Sequence, residues 1–109
     1  MGVVLAKSTP EIDSIVKEET KTLRKSKVVL FNDEDHTYDY VCEMLSHCCK
    51  ISKSQAFKCA VEVDMTGKTF VYYGTAKECQ KVSEKINTYG PDHRMPRSMG
   101  SMGSEVEGI

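Results

Sequence analysis

Three consecutive carboxylates, Asp33, Glu34 and Asp35, follow Asn32 at the point where the apolar run Val28 to Phe31 ends and an amphipathic pattern begins. Acids crowded in this way repel one another and are stabilised by something positive: an ammonium, a hard cation, or the free N–H groups and dipole of a helix start. A primary ammonium carries three donors, which a converging set of amide and carboxylate oxygens satisfies, and an acylated amine loses that charge. Read from composition alone, the same residues are a solvated loop capping a helix. Two other chemistries compete. Asp33, Glu34, Asp35 and Asp64 supply the oxygen ligands of a divalent-cation module, without the spacing or turn glycine of an EF-hand loop. His36 beside a carboxylate or thiol suggests a small enzyme, yet no nucleophile, base and orienting group stand out, and a domain this size encloses little volume.

The five cysteines, Cys42, Cys48, Cys49, Cys59 and Cys79, are odd in number, include an adjacent pair and contain no C-x-x-C. In His47-Cys48-Cys49, consecutive helical positions point about 100° apart and do not converge on one ion. Cys48, Cys59 and Cys79 instead fall on apolar helix faces, where a thiol serves as a small hydrophobe. Neither a metal nor a disulfide framework is expected, and no cofactor.

The elements that must position the acidic loop are well punctuated. Val28 to Phe31 is short, apolar and β-branched, which predicts a buried strand. Val41, Met44, Leu45 and Cys48 lie on one helical face, with Thr37 as N-cap and Asp39 in the first turn. Ser52 to Gln55 reads as a capping box opening a second helix, whose buried face is Ala56, Cys59, Ala60 and Val63 and which closes at Thr66-Gly67. Lys68 to Tyr73 is a second strand by its β-branched and aromatic content. Thr75 to Glu78 is another capping box, followed by a face of Cys79, Val82, Ile86 and Tyr89 and a stop at Gly90-Pro91. The tail is rich in Gly, Ser, Met and Pro, and a closing strand is placed near Ser101 to Glu107.

The expected fold is therefore α+β: one small domain, β-α-α-β-α-β, with a three-stranded antiparallel sheet against three helices. Its core spans residues 26 to 109, and residues 1 to 25, charged and poor in apolar spacing, are expected to form a flexible arm. With 109 residues, 15 basic and 16 acidic, the chain has a formal net charge of -1 and no basic stripe interleaved with aromatics, so nucleic acid is not an expected partner. No apolar run approaches the ~20 residues that span a bilayer, and the start lacks a basic segment followed by a long apolar core. A monomeric, soluble, cytoplasmic protein with reduced thiols is expected.

KVVLFNDEDHTYDYV (Lys27 to Val41), the helix after it, AVEVDMTGK (Ala60 to Lys68) and GTAKE (Gly74 to Glu78) together resemble the ClpS family, adaptors of the ATP-dependent Clp protease, over about Ser26 to Arg97. The resemblance implies a non-enzymatic adaptor that binds the N-terminal residue of substrates, the N-degron, and delivers them to an AAA+ unfoldase such as ClpA or ClpC. By that resemblance Asn32, Asp33 and Glu34 contact the substrate's α-amine, and Val41, Met44, Ala60 and Val63 wall a pocket for a Leu, Phe, Tyr or Trp side chain. Three positions depart from the family pattern: Glu34 replaces an Asp, Asp64 stands where a His often contacts the amine, and Tyr38 stands where a Met often gates the pocket. His36 takes a position that in the family tends to face the unfoldase. Asp33 is expected to be the principal amine partner and, as an exposed loop acid, to matter little for stability.

Overall fold

The computed structural model describes residues 24–109. The expected arm falls, up to residue 23, outside the described residues. Six elements follow in the order β1 (Lys25–Phe31), α1 (Tyr38–Cys49), α2 (Lys53–Thr66), β2 (Lys68–Thr75), α3 (Ala76–Asn87) and β3 (Ser104–Gly108). This is the α+β architecture that the sequence pattern predicts. β1 begins at Lys25 and β2 runs to Thr75, each longer than its apolar stretch, because the two strands stay paired to those ends.

The apolar strand takes the centre. The sheet order is β2-β1-β3 with both pairings antiparallel, so the Val28–Leu30 run is hydrogen-bonded on both sides. Val28 and Leu30 point into the layer of helices, and Val29 points to the opposite face, where the register sets it between Phe70 and Glu105. A register shift between Val28 and Val29 bulges the pairing with β2. Val28, Val29 and Leu30 have no exposed surface. Each such burial contributes roughly 1.5–3 kcal/mol relative to an exposed side chain.

The helices bury the faces their spacing marks: Val41, Met44, Leu45 and Cys48 from α1, Ala56, Cys59, Ala60 and Val63 from α2, Cys79, Val82 and Ile86 from α3. Thr37 caps α1 by accepting the Tyr40 N–H, and Thr75 and Glu78 complete a reciprocal capping box on α3. At α2 only half of the expected box forms: Ser52 accepts the Gln55 N–H, while the Gln55 amide extends toward the Cys59 sulfur. α3 also stops short of Gly90, capped at Thr88, so Tyr89 lies beyond the helix and is 39% exposed instead of completing the buried face. Its ring meets Tyr40 edge-on at 5.6 Å. All five thiols are free. Burial pushes Cys49 up to about 12, which fits packing better than reactivity. No helix among the described residues is long and apolar enough to cross a membrane.

Candidate functional site

The acidic loop grows directly out of the central strand, and the backbone at its root is held from both sides. Phe31 N–H donates to the Gly103 carbonyl (3.0 Å) and Asn32 N–H to the Gly67 carbonyl (2.9 Å). Gly67 is the C-cap of α2, with φ at +93°, a conformation that costs a side-chain-bearing residue about 1–2 kcal/mol. Its own N–H closes onto the Val63 carbonyl at 3.0 Å. Asn32 is thus joined through one glycine to the last turn of α2, where Val63 and Asp64 sit.

Within the loop the acids are not equivalent. Asp33 Oδ1 accepts the Asp35 N–H at 2.5 Å, folding the chain into a local turn, and the same oxygen lies 2.9 Å from His36 Nδ1. Asp33 Oδ2 takes part in none of the described hydrogen bonds, and the side chain is 30% exposed. Asp35 pairs with Arg97 at 3.4 Å, and Glu34 is exposed, its carbonyl accepting from the same guanidinium. Asp33 is therefore part of the loop's own framework, which corrects the expectation that it makes few favourable contacts.

His36 is drawn into the same framework. Its side chain is turned inward and is 2% exposed. Nε2 donates to the Gly100 carbonyl at 2.7 Å, and the ring packs against Tyr40 with centroids 4.4 Å apart. Nδ1 sits at ion-pair distance from Asp33 but without hydrogen-bond alignment. The ring braces the loop.

The main buttress was not legible in the sequence. Asp92, 1% exposed, accepts both the Thr37 N–H (2.7 Å) and the Thr37 hydroxyl (2.8 Å) on Oδ2, and the Arg94 N–H on Oδ1 (3.0 Å). Burial by itself would raise its pKa, but the bonds from Thr37 and Arg94 outweigh it and hold the carboxyl down at about 2. Arg94 continues the network to Glu43 at 2.8 Å. The available signal was local: an Asp after a proline with Arg two residues on, the pattern of a side-chain-closed turn.

The side-chain walls lie next door, but packed shut. Val41 (4% exposed), Met44 (0%), Ala60 (1%) and Val63 (2%) belong to the hydrophobic core. Tyr38, 38% exposed on the first turn of α1, donates its hydroxyl to Asp64 Oδ2 at 2.6 Å. Its ring meets Phe57 edge-on at 5.9 Å. That hydrogen bond raises the Tyr38 pKa. Two residues expected to touch a ligand separately are thus joined to each other. An open cleft of about 420 Å³ lies elsewhere along α1, lined in part by Cys42, Glu43, Phe57 and Arg94 and by none of the four wall residues. Open, and with its Glu43 and Arg94 already paired to each other, it is a weaker candidate than the loop.

Among the described residues no three or more His, Cys, Asp or Glu side chains gather as metal ligands. Asp33, Asp35 and Asp64 are each turned to a different protein partner, which gives a divalent-cation module no support.

The chain is a three-helix, three-strand α+β domain with a strand-to-helix acidic loop tied to the end of a second helix. By sequence the chain belongs to the ClpS family: the model of the ATP-dependent Clp protease adaptor protein ClpS matches residues 21–98. Among curated proteins it is similar to the E3 ubiquitin-protein ligase ubr-1 of Caenorhabditis elegans, 35% identical over 71% of this chain and 4% of that protein. It is also similar to the E3 ubiquitin-protein ligase UBR1 of Drosophila melanogaster, 34% identical over 53% of this chain and 3% of that protein. The chain thus spans only a few per cent of the length of these relatives. Among solved structures, Agrobacterium tumefaciens ClpS2 bound to L-phenylalaninamide superposes with a TM-score of 0.63 over 78% of this chain and 99% of that one, at 15% identity, a likeness of fold.

Proposed function

We propose that this chain is a non-enzymatic adaptor that binds the first residue of a polypeptide, gripping the free α-amine with Asn32, Asp33, Glu34 and Asp64 and taking a large apolar side chain between α1 and α2. The observation that carries this reading is the bond from Asn32 to Gly67, which sets the acidic loop against the turn of α2 that bears Val63 and Asp64. Asn32 and Glu34 are exposed and Asp33 keeps one carboxylate oxygen outside the described bonds, so amide and carboxylate acceptors remain for an ammonium's three donors. The ligand of the ClpS2 structure, L-phenylalaninamide, has the same chemistry: a free amine beside an aromatic side chain. Substrates beginning with Leu, Phe, Tyr or Trp fit this site. The test is a fluorescence-anisotropy panel of peptides differing only in the first residue, each with a free and an acetylated amine. Amine-dependent binding with apolar preference is expected, and binding indifferent to acetylation overturns the reading.

Two destinations for the bound substrate follow from the family and the relatives. The family name favours hand-over to a Clp AAA+ unfoldase of the ClpA or ClpC type. The two relatives are E3 ubiquitin ligases, which favours recognition in the service of ubiquitin transfer. Reconstituted degradation of a Phe-initiated reporter with a Clp unfoldase, set beside ubiquitylation of the same reporter by an E3 complex containing this chain, separates the two.

A further inference from the structure

The buried ring of His36 has an acceptor against each of its nitrogens. Nε2 lies 2.7 Å from the Gly100 carbonyl oxygen, which has no proton to give, so the hydrogen of that bond is on Nε2. A neutral imidazole carries one such hydrogen, and its Nδ1 would then present a lone pair. Yet Nδ1 stands 2.9 Å from Asp33 Oδ1 and has no hydrogen-bond partner among the described residues. Two acceptors this close repel each other unless a proton lies between them. Oδ1 also accepts the Asp35 N–H at 2.5 Å, which favours the ionised carboxylate and leaves the shared proton on the ring. Attraction between opposite charges needs no alignment, so the off-axis contact is favourable to a charged ring and unfavourable to a neutral one. The other charged groups around the ring are engaged elsewhere. Asp35 pairs with Arg97, and Asp92, whose N–H donates to Ser98 Oγ beside Nε2, is bonded to Thr37 and Arg94. From α1 the ring meets Tyr40, whose hydroxyl donates to the Gly90 carbonyl.

We infer that His36 is a positioning residue of the amine grip, held as an imidazolium that fixes Oδ1 of Asp33 and leaves Oδ2 directed to the ligand's ammonium. The inference deepens the proposed recognition of a free N-terminus and rests on it. The ring supplies the crowded acids with an internal counter-charge at one oxygen and leaves the other uncovered, since Asp33 Oδ2 takes part in none of the described hydrogen bonds. A carboxylate ordered before the ligand arrives loses no further rotational freedom on binding, and affinity gains by that preorganisation. His36 reaches the ligand through Asp33 and not by contact.

Two measurements test it. Nitrogen-15 shifts of the His36 ring, recorded on the full chain without peptide, should show protons on both nitrogens at neutral pH, and in Asp33→Asn the proton on Nδ1 should be lost. A ring already neutral in the parent overturns the inference without recourse to any variant. The second measurement is a double-mutant cycle read by anisotropy with a Phe-initiated peptide. His36→Gln should weaken binding roughly three- to tenfold beside Asp33, and by less than about twofold in the Asp33→Asn background, because the ring acts through that carboxylate. An equal loss in both backgrounds means that the ring merely fills the loop, and a gain in affinity means that it competes with the ligand for Asp33. Either result overturns the positioning role, while a parent protein that still demands a free amine keeps the N-terminal reading intact. A parent indifferent to acetylation of the peptide overturns both.

Discussion

At the scale of single residues, Asp33 and Asp92 do opposite things with the same functional group. Asp33 Oδ2 takes part in none of the described hydrogen bonds, while Oδ1 holds Asp35 and faces His36. Asp33→Asn preserves much of the local turn and removes the charge, so peptide affinity should fall roughly ten- to a hundredfold, in line with the ~1.5–3 kcal/mol of a charge-assisted hydrogen bond. Anisotropy with free and acetylated peptides measures it, and unchanged affinity would show that another acid holds the amine. Asp92 is spent entirely inside the protein. Its folded pKa of about 2 lies below the ordinary carboxylate value, so the unfolded chain binds the extra proton first on acidification. The stability it contributes is present above about pH 4 and is lost as pH falls toward 2. Urea titrations across that window should show a slope shallower by about one proton in Asp92→Asn than in the parent, with a cost of about 2 kcal/mol at neutral pH.

At the scale of elements, the site depends on where helices stop. α2 ends at Gly67, the residue type best suited to its positive φ, and that ending hands a carbonyl to Asn32. α1 ends at Lys50 in the same left-handed region, φ 59°, where a side chain is disfavoured. Lys50→Gly should stabilise the domain by about 1 kcal/mol, read as a higher midpoint in urea with an unchanged slope, because the change is remote from the loop and removes only local strain. A lower midpoint would mean that the Lys50 side chain contributes contacts beyond its backbone conformation.

At the scale of the whole molecule, the described structure begins at Arg24. Its carbonyl accepts the Ala76 N–H at 2.7 Å, and Lys25 begins the central strand. Deleting residues 1–23 should leave the melting temperature and peptide affinity unchanged while lowering delivery to whichever degradation machinery is the partner, since the sequence of that stretch is charged and poor in apolar spacing. Loss of thermal stability on deletion would place part of the arm in the fold. β1 alone crosses the middle of the sheet, so every later element is positioned relative to a strand whose last residue roots the acidic loop.

Local sequence was sufficient for the elements, because what makes them acts within a turn or two: the i, i+3, i+4 faces of α1 and α2, the Thr37 and Thr75 caps, the Gly67 stop and the β-branched strands. The same range of vision located the acidic loop, and the combined motifs placed it in a family. Side-chain partners were a different matter. Tyr38 meets Asp64 across 26 residues, Thr37 meets Asp92 across 55 and His36 meets Gly100 across 64. No periodicity encodes such pairs, since they arise only when α1, α2 and the segment before β3 are stacked on the sheet and bring distant donors and acceptors together. The sequence by itself determined that acids would stand at a strand-to-helix junction. Only the tertiary structure decided which of them brace the loop, and that Asp64 at the far end of α2 accepts the Tyr38 hydroxyl.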